Sequence, residues 1–149
     1  MREIKFRAWH KPTQLMDDVV LIDFYNEKIG ILYADPVMQC ESIQKYNFNE
    51  VELMQSTGLF DKNGKEIYEG DIVRIDFNKA ENTNIEHDPV HGQYAYEDTI
   101  VKWYEDCGSF MLDEINNIST IYSSFYEEMT DLFEVIGNIY ENKELLNGL

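Results

Sequence analysis

Apolar residues recur at every second position in short runs, and turn-forming residues separate one run from the next. Ile4, Phe6 and Ala8 alternate with Glu3, Lys5, Arg7 and Trp9, the period of a strand with one buried face. Lys11-Pro12-Thr13-Gln14 reads as a turn. Runs at 19–24 and 29–33 flank the polar break Asn26-Glu27-Lys28 and predict a hairpin, which Asp35-Pro36 closes. Residues 37–49 show no clear period. A strand resumes at 51–55 and ends at Gly58. Asn63-Gly64 predicts a type I′ turn, whose two central residues both need positive φ. In the next strand, 72–77, Val73, Ile75 and Phe77 share a face, and Gly70 ahead of it predicts a bulge or a close backbone approach.

Residues 78–98 are polar and read as an insertion between strands, because a structureless loop of this length is uncommon inside a compact domain. Strands at 100–104 and 109–112 flank the turn Asp106-Cys107-Gly108. From 113 to 131 the apolar spacing changes: Ile115, Ile118, Ile121, Tyr122, Phe125 and Met129 step by three or four, predicting a helix. Phe133, Val135 and Ile139 predict a last strand with a bend at Gly137, and Glu144-Leu145-Leu146 a final helical turn. The pattern is that of a mainly β, β-rich α+β chain. It is read as a single unit over 1–149, with an N-terminal β subregion of about 1–50 and a second subregion of about 51–142.

Composition narrows the function classes. Twelve Lys and Arg face 29 Asp and Glu, a formal net charge of −17, which excludes a phosphate binder of the usual basic type and argues against direct nucleic-acid binding. Residues 1–79 hold 14 acids and 10 bases, whereas residues 80–149 hold 15 acids and 2 bases. The longest uninterrupted apolar run, 29–34, is far shorter than the ~18 residues of a membrane span, and the first residues carry no signal-peptide core. A cytoplasmic protein with reduced cysteines is expected. Cys40 and Cys107 form no disulfide framework and read as small hydrophobes in strands or at their ends. His87 and His91 bracket Pro89 in an acidic stretch; Pro89 opposes the helix that would align two imidazoles four apart, so a solvated loop is expected and no metal or cofactor is assigned.

Three blocks carry a family likeness. Residues 2–9 open the chain, 54–59 lead into Asp61-Lys62-Asn63-Gly64-Lys65-Glu66-Ile67-Tyr68-Glu69-Gly70-Asp71-Ile72-Val73, and residues 135–142 lie near the end. In that order they resemble the YopX family of small phage and prophage proteins. The chain departs from the family pattern at His10, where Asp is usual, at Lys143, where Pro often stands, and in the length of the 78–98 loop. The resemblance implies an SH3-like barrel in the C-terminal part, a phage origin and a bacterial host cytoplasm. It implies no agreed activity.

Three functional readings follow. The first is a non-catalytic accessory protein that binds a host or phage protein; Trp9, Tyr68, Trp103 and Tyr104 are its candidate binding aromatics, since SH3-like barrels often bind along aromatic grooves. The second is an acidic nucleic-acid mimic that occupies a host protein's basic cleft through Glu127, Glu128, Asp131 and Glu134. The third is a metal-dependent hydrolase using paired carboxylates; no nucleophile motif, P-loop or HExxH accompanies them, and no catalytic residue is assigned. Exposed strand edges in a small β protein also allow self-association.

Overall fold

The computed structural model describes residues 3–35, 37, 39–76, 96–106, 108–114, 121–122 and 131–146. It is mainly β. The strands are β1 Phe6–His10, β2 Leu15–Asp23, β3 Lys28–Asp35, β4 Cys40–Asn47, β5 Val51–Phe60, β6 Glu66–Tyr68, β7 Asp71–Asp76, β8 Tyr96–Tyr104, β9 Ser109–Glu114, β10 Ile121–Tyr122 and β11 Phe133–Asn138; a single helical turn, α1 Lys143–Leu146, follows. One sheet runs β4-β3-β2-β1-β5-β6 and the other β10-β9-β8-β7-β11. The chain divides into two compact units, Met1–Ser56 and Thr57–Leu149, and β5 passes from the first into the second.

In the first unit the link between β4 and β5 dictates the shape of the sheet. Four interstrand steps separate the two strands, about 19 Å if the sheet were flat. The link is a 3-10 turn, Phe48–Glu50, which advances only about 6 Å. The sheet must therefore curl until the ends of β4 and β5 meet. His10 of β1 and Tyr46 of β4 prove the curl: two strands lie between them, yet their rings stand 3.9 Å apart. The 3-10 turn is pinned by the Phe48 N–H, which donates to the Glu27 carbonyl, and by the Lys11 N–H, which donates to that of Glu50. Ala8, Ile29, Ile31 and Val51 fill the concave side, with Val19, Ile22, Tyr46 and Phe48 packed against them. The outer face carries Gly30, with Leu21 and Ile43 folded over it: a Cβ there would lie 2.8 Å from Ile43 Cγ2 and 2.9 Å from Leu21 Cβ.

The second unit is a five-stranded antiparallel sheet around Ile67, Val73, Ile75, Val101, Phe110, Leu112, Leu132, Phe133 and Val135. Both faces of β7 are buried, so its core extends beyond the single face that alternation predicts. Among the described residues β10 and β11 stand at the two ends of the sheet without pairing to each other, so the expected SH3-like barrel is not seen as a closed barrel. In place of the helix expected over 113–131 the structure has strand at 113–114 and 121–122, because Ile121 and Tyr122 pair with Asp113 and Leu112, and Asp131 lies in a short 3-10 turn; residues 115–120 and 123–130 lie outside the described residues. Residues 96–98, expected in the insertion, belong to β8, and 77–95 lie outside the described residues. Gly137 sits where the β11–β7 register shifts, as the predicted bend requires.

The block 61–73 works as architecture. Gly64 has φ +78° but Asn63 does not have positive φ, so the turn is not type I′. The Gly64 N–H donates to the Asp61 carbonyl at 2.9 Å, and the buried Asp61 carboxylate completes the turn. Its Oδ1 accepts from the N–H groups of Asn63 and Lys65, and its Oδ2 from that of Val135 in β11. One side chain thus closes the β5–β6 turn and fastens it to β11. Burial pushes the Asp61 pKa up, but the N–H donors of Val135, Lys65 and Asn63 outweigh that and hold it below the usual value. Asp71 is buried and accepts from the Tyr68 N–H at 2.8 Å. Gly70, at φ +77°, donates to the Val101 carbonyl and accepts from the Ile139 N–H, the close approach its position predicts.

Two substitutions check these roles. Asp61→Ala strands three N–H groups and is expected to lower the unfolding free energy in urea by about 2–4 kcal/mol. Because the folded-state pKa is depressed, the Asp61 contribution is fully present above the unfolded value of about 3.9 and is lost as pH falls through the folded value. The gap between wild type and Asp61→Ala should therefore narrow below pH ~4; a gap independent of pH would contradict the role. Gly30→Ala should cost about 1–3 kcal/mol by overpacking against Leu21 and Ile43, and unchanged stability would show that the close approach does not constrain the sheet.

Candidate functional site

The four aromatics proposed from sequence do not share one strand or one face. Trp9 lies in β1, half-buried opposite Met16 and Glu52. Tyr68 lies in β6, half-buried, and its hydroxyl donates to Glu66 Oε2 at 3.2 Å. Trp103 and Tyr104 are consecutive in β8 and so point to opposite faces. Trp103, 44% exposed, stands edge-on to Phe110 with ring centroids 5.0 Å apart.

The acidic candidates divide. Glu127 and Glu128 lie outside the described residues, and Asp131 is exposed. Glu134 is committed to an ion pair with Lys62 at 2.6 Å. Across the sheet it sits opposite Arg74 of β7, which in turn faces Asp98 of β8 and grips it through two hydrogen bonds, of 2.7 and 2.8 Å. Lys62, Glu134, Arg74 and Asp98 thus form a row of alternating sign, and Lys102 pairs with Asp113 nearby in sequence on β8 and β9. Lys62, Arg74 and Lys102 are each paired with an acid, which leaves Glu134, Asp98 and Asp113 with less net field than the sequence count suggests.

Near the 3-10 turn, His10 is buried, with Nδ1 2.6 Å from Thr13 Oγ1 and its ring against Tyr46. Lys11 pairs with Glu52 at 2.7 Å and donates to the Asn49 carbonyl. The Asn47 N–H and Nδ2 both donate to Glu50 Oε2, holding that carboxyl below its ordinary value. Every one of these groups fastens the link between β4 and β5. His87 and His91 lie outside the described residues, and among the described residues no three His, Cys, Asp or Glu come together as metal ligands.

The feature that sequence reasoning passed over is β4. It is the terminal strand of its sheet, hydrogen-bonded on one side to β3 over eight residue pairs, Lys28↔Asn47 to Asp35↔Cys40. All its residues but Tyr46 are exposed. Its other backbone edge has no strand beside it among the described residues. The opposite end of this sheet is β6, only three residues long with a buried centre. Natural sheets usually shorten, cover or heavily charge such an edge; β4 is long and carries only Glu41 and Lys45. On the outer face Ile43 stands opposite Leu32, 52% and 46% exposed. Cys40, the first residue of β4, is exposed rather than packed as a small hydrophobe.

No helix of the described residues is long and apolar enough to cross a membrane. No curated protein matches the chain. Among solved structures it is similar to the crystal structure of protein EF1440 from Enterococcus faecalis, with 28% identity and a TM-score of 0.57 over 98% of this chain and 99% of that one. The model of the YopX protein family matches residues 5–147, and the chain belongs to the YopX family.

Proposed function

We propose that the protein is a non-catalytic phage or prophage accessory protein that works in the bacterial cytoplasm by binding another protein, and that β4 is the binding element. The observation that carries this reading is the long exposed edge of β4 beside the apolar pair Leu32 and Ile43. An extended edge recruits a partner by main-chain hydrogen bonding, while alternate side chains supply selectivity. The hydrogen bonds of the 61–73 block hold turns and strands, which supports a scaffold rather than a reaction centre. The acidic-mimic reading is weakened by the ion pairs of Glu134, Asp98 and Asp113.

Affinity capture from nuclease-treated host lysate at low and high salt tests the proposal, with Ile43→Asp run beside the wild type. A protein retained at both salt concentrations and lost with Ile43→Asp is expected. Retention only at low salt and unaffected by Ile43→Asp would favour the mimic, because charge-dominated contacts are screened.

A further inference from the structure

We propose that the free edge of β4 takes a second copy of the same chain, in an antiparallel strand pair with a two-fold axis through Ile43. The inference rests on the reading of β4 as an interface and names its occupant.

The argument is one of register. Residues directly opposite each other in an antiparallel pair lie on the same face, and a two-fold pairing repeats every contact. With Ile43 opposite Ile43 of the second copy, Glu41 falls opposite Lys45 of the second copy, and Lys45 opposite its Glu41. The outer face of the joint then holds an apolar pair at the axis and an opposite-charge pair on either side. Ile43 already stands opposite Leu32 within one chain, so the joint extends a short apolar stripe, Leu32-Ile43, through the axis into its symmetry mate. On the other face Ser42 meets Gln44 and Cys40 meets Tyr46. No neighbouring register does this. A slip of two residues sets Glu41 or Lys45 against Ile43, and a slip of four sets Glu41 against Glu41 or Lys45 against Lys45. Opposed like charges destabilise a sheet where opposite charges stabilise it.

The charge balance agrees. The chain carries −17, and two copies repel over the Debye length of about 8 Å at physiological ionic strength. A tolerable contact must use neutral surface. Residues 28–47, the β3–β4 hairpin, hold Lys28, Asp35, Glu41 and Lys45, a balance of zero. Within one chain Lys45 helps lower the pKa of Asp23, as the smallest of several causes after the Asn26 hydrogen bonds, while Glu41 has no ion pair among the described residues. Pairing would give Glu41 one.

The test is sedimentation velocity of the full chain at physiological ionic strength, from low to high micromolar protein, on the wild type, Glu41→Lys, Lys45→Glu and the double variant Glu41→Lys/Lys45→Glu. Both positions are exposed, so folding is not at stake. The wild type should dimerise. Each single variant should weaken dimerisation at least ~tenfold by opposing like charges twice, and the double variant should restore it. Mixing the two single variants should also restore pairing, as a heterodimer, because both of its contacts then set Lys against Glu. A wild type that stays monomeric overturns the proposal even if capture of another protein through Ile43 persists, which separates this failure from that of the interface reading. A dimer indifferent to the single variants, or one the double variant does not restore, places the contact elsewhere and equally overturns it.

Discussion

The link Phe48–Glu50 is the constraint on which the first unit depends. It is too short to cross a flat sheet, so the sheet curls, and the curl decides which residues are core. It brings His10 onto Tyr46 across two intervening strands and closes Ala8, Ile29, Ile31 and Val51 inside. It also turns Ile43 and Leu32 outward. Among the described residues β4 is left with one strand neighbour, and its residues 40–45 are exposed on both faces while Tyr46 packs inward. The same short link therefore builds the core and exposes the edge.

In the second unit a comparable role falls to Asp61. A buried carboxylate is costly unless its charge is met by donors, and here the donors are backbone N–H groups from two separate segments. The family block around it can accordingly be understood without a ligand. Glycines supply positive φ at 64 and 70, Asp61 and Asp71 satisfy N–H groups that the turns leave open, and Ile67 enters the core. The outer surface of the first unit is where the fold leaves the apolar side chains Leu32 and Ile43 exposed beside the β4 backbone.

Much of this was legible in the sequence. Alternation marked the hairpins, and Gly70 and Gly137 signalled the close approach and the bend. The type of the turn at Asn63-Gly64 was not legible, because the decisive group is the Asp61 side chain, which looks like any other of 29 acids until its burial is known. Single-face alternation also understated β7, which is buried on both sides. Helical spacing at 113–131 failed at Ile121 and Tyr122, where cross-strand pairing to β9 overrides a weak local pattern. The most instructive failure is β4. Residues 37–49 lack a period because Cys40 to Lys45 are exposed on both faces of the strand and have no reason to alternate. The missing signal was itself the mark of the exposed edge, and the aromatic residues drew attention away from it.

The most direct test of β4 as an interface is backbone amide hydrogen exchange across Cys40–Asn47, followed in the wild-type chain from low to high protein concentration. Amides along an open edge exchange readily, and strand pairing protects them. The account predicts that protection of this segment rises with concentration while that of β7 stays constant. Exchange in β4 that is the same at every concentration would contradict a second copy on that edge.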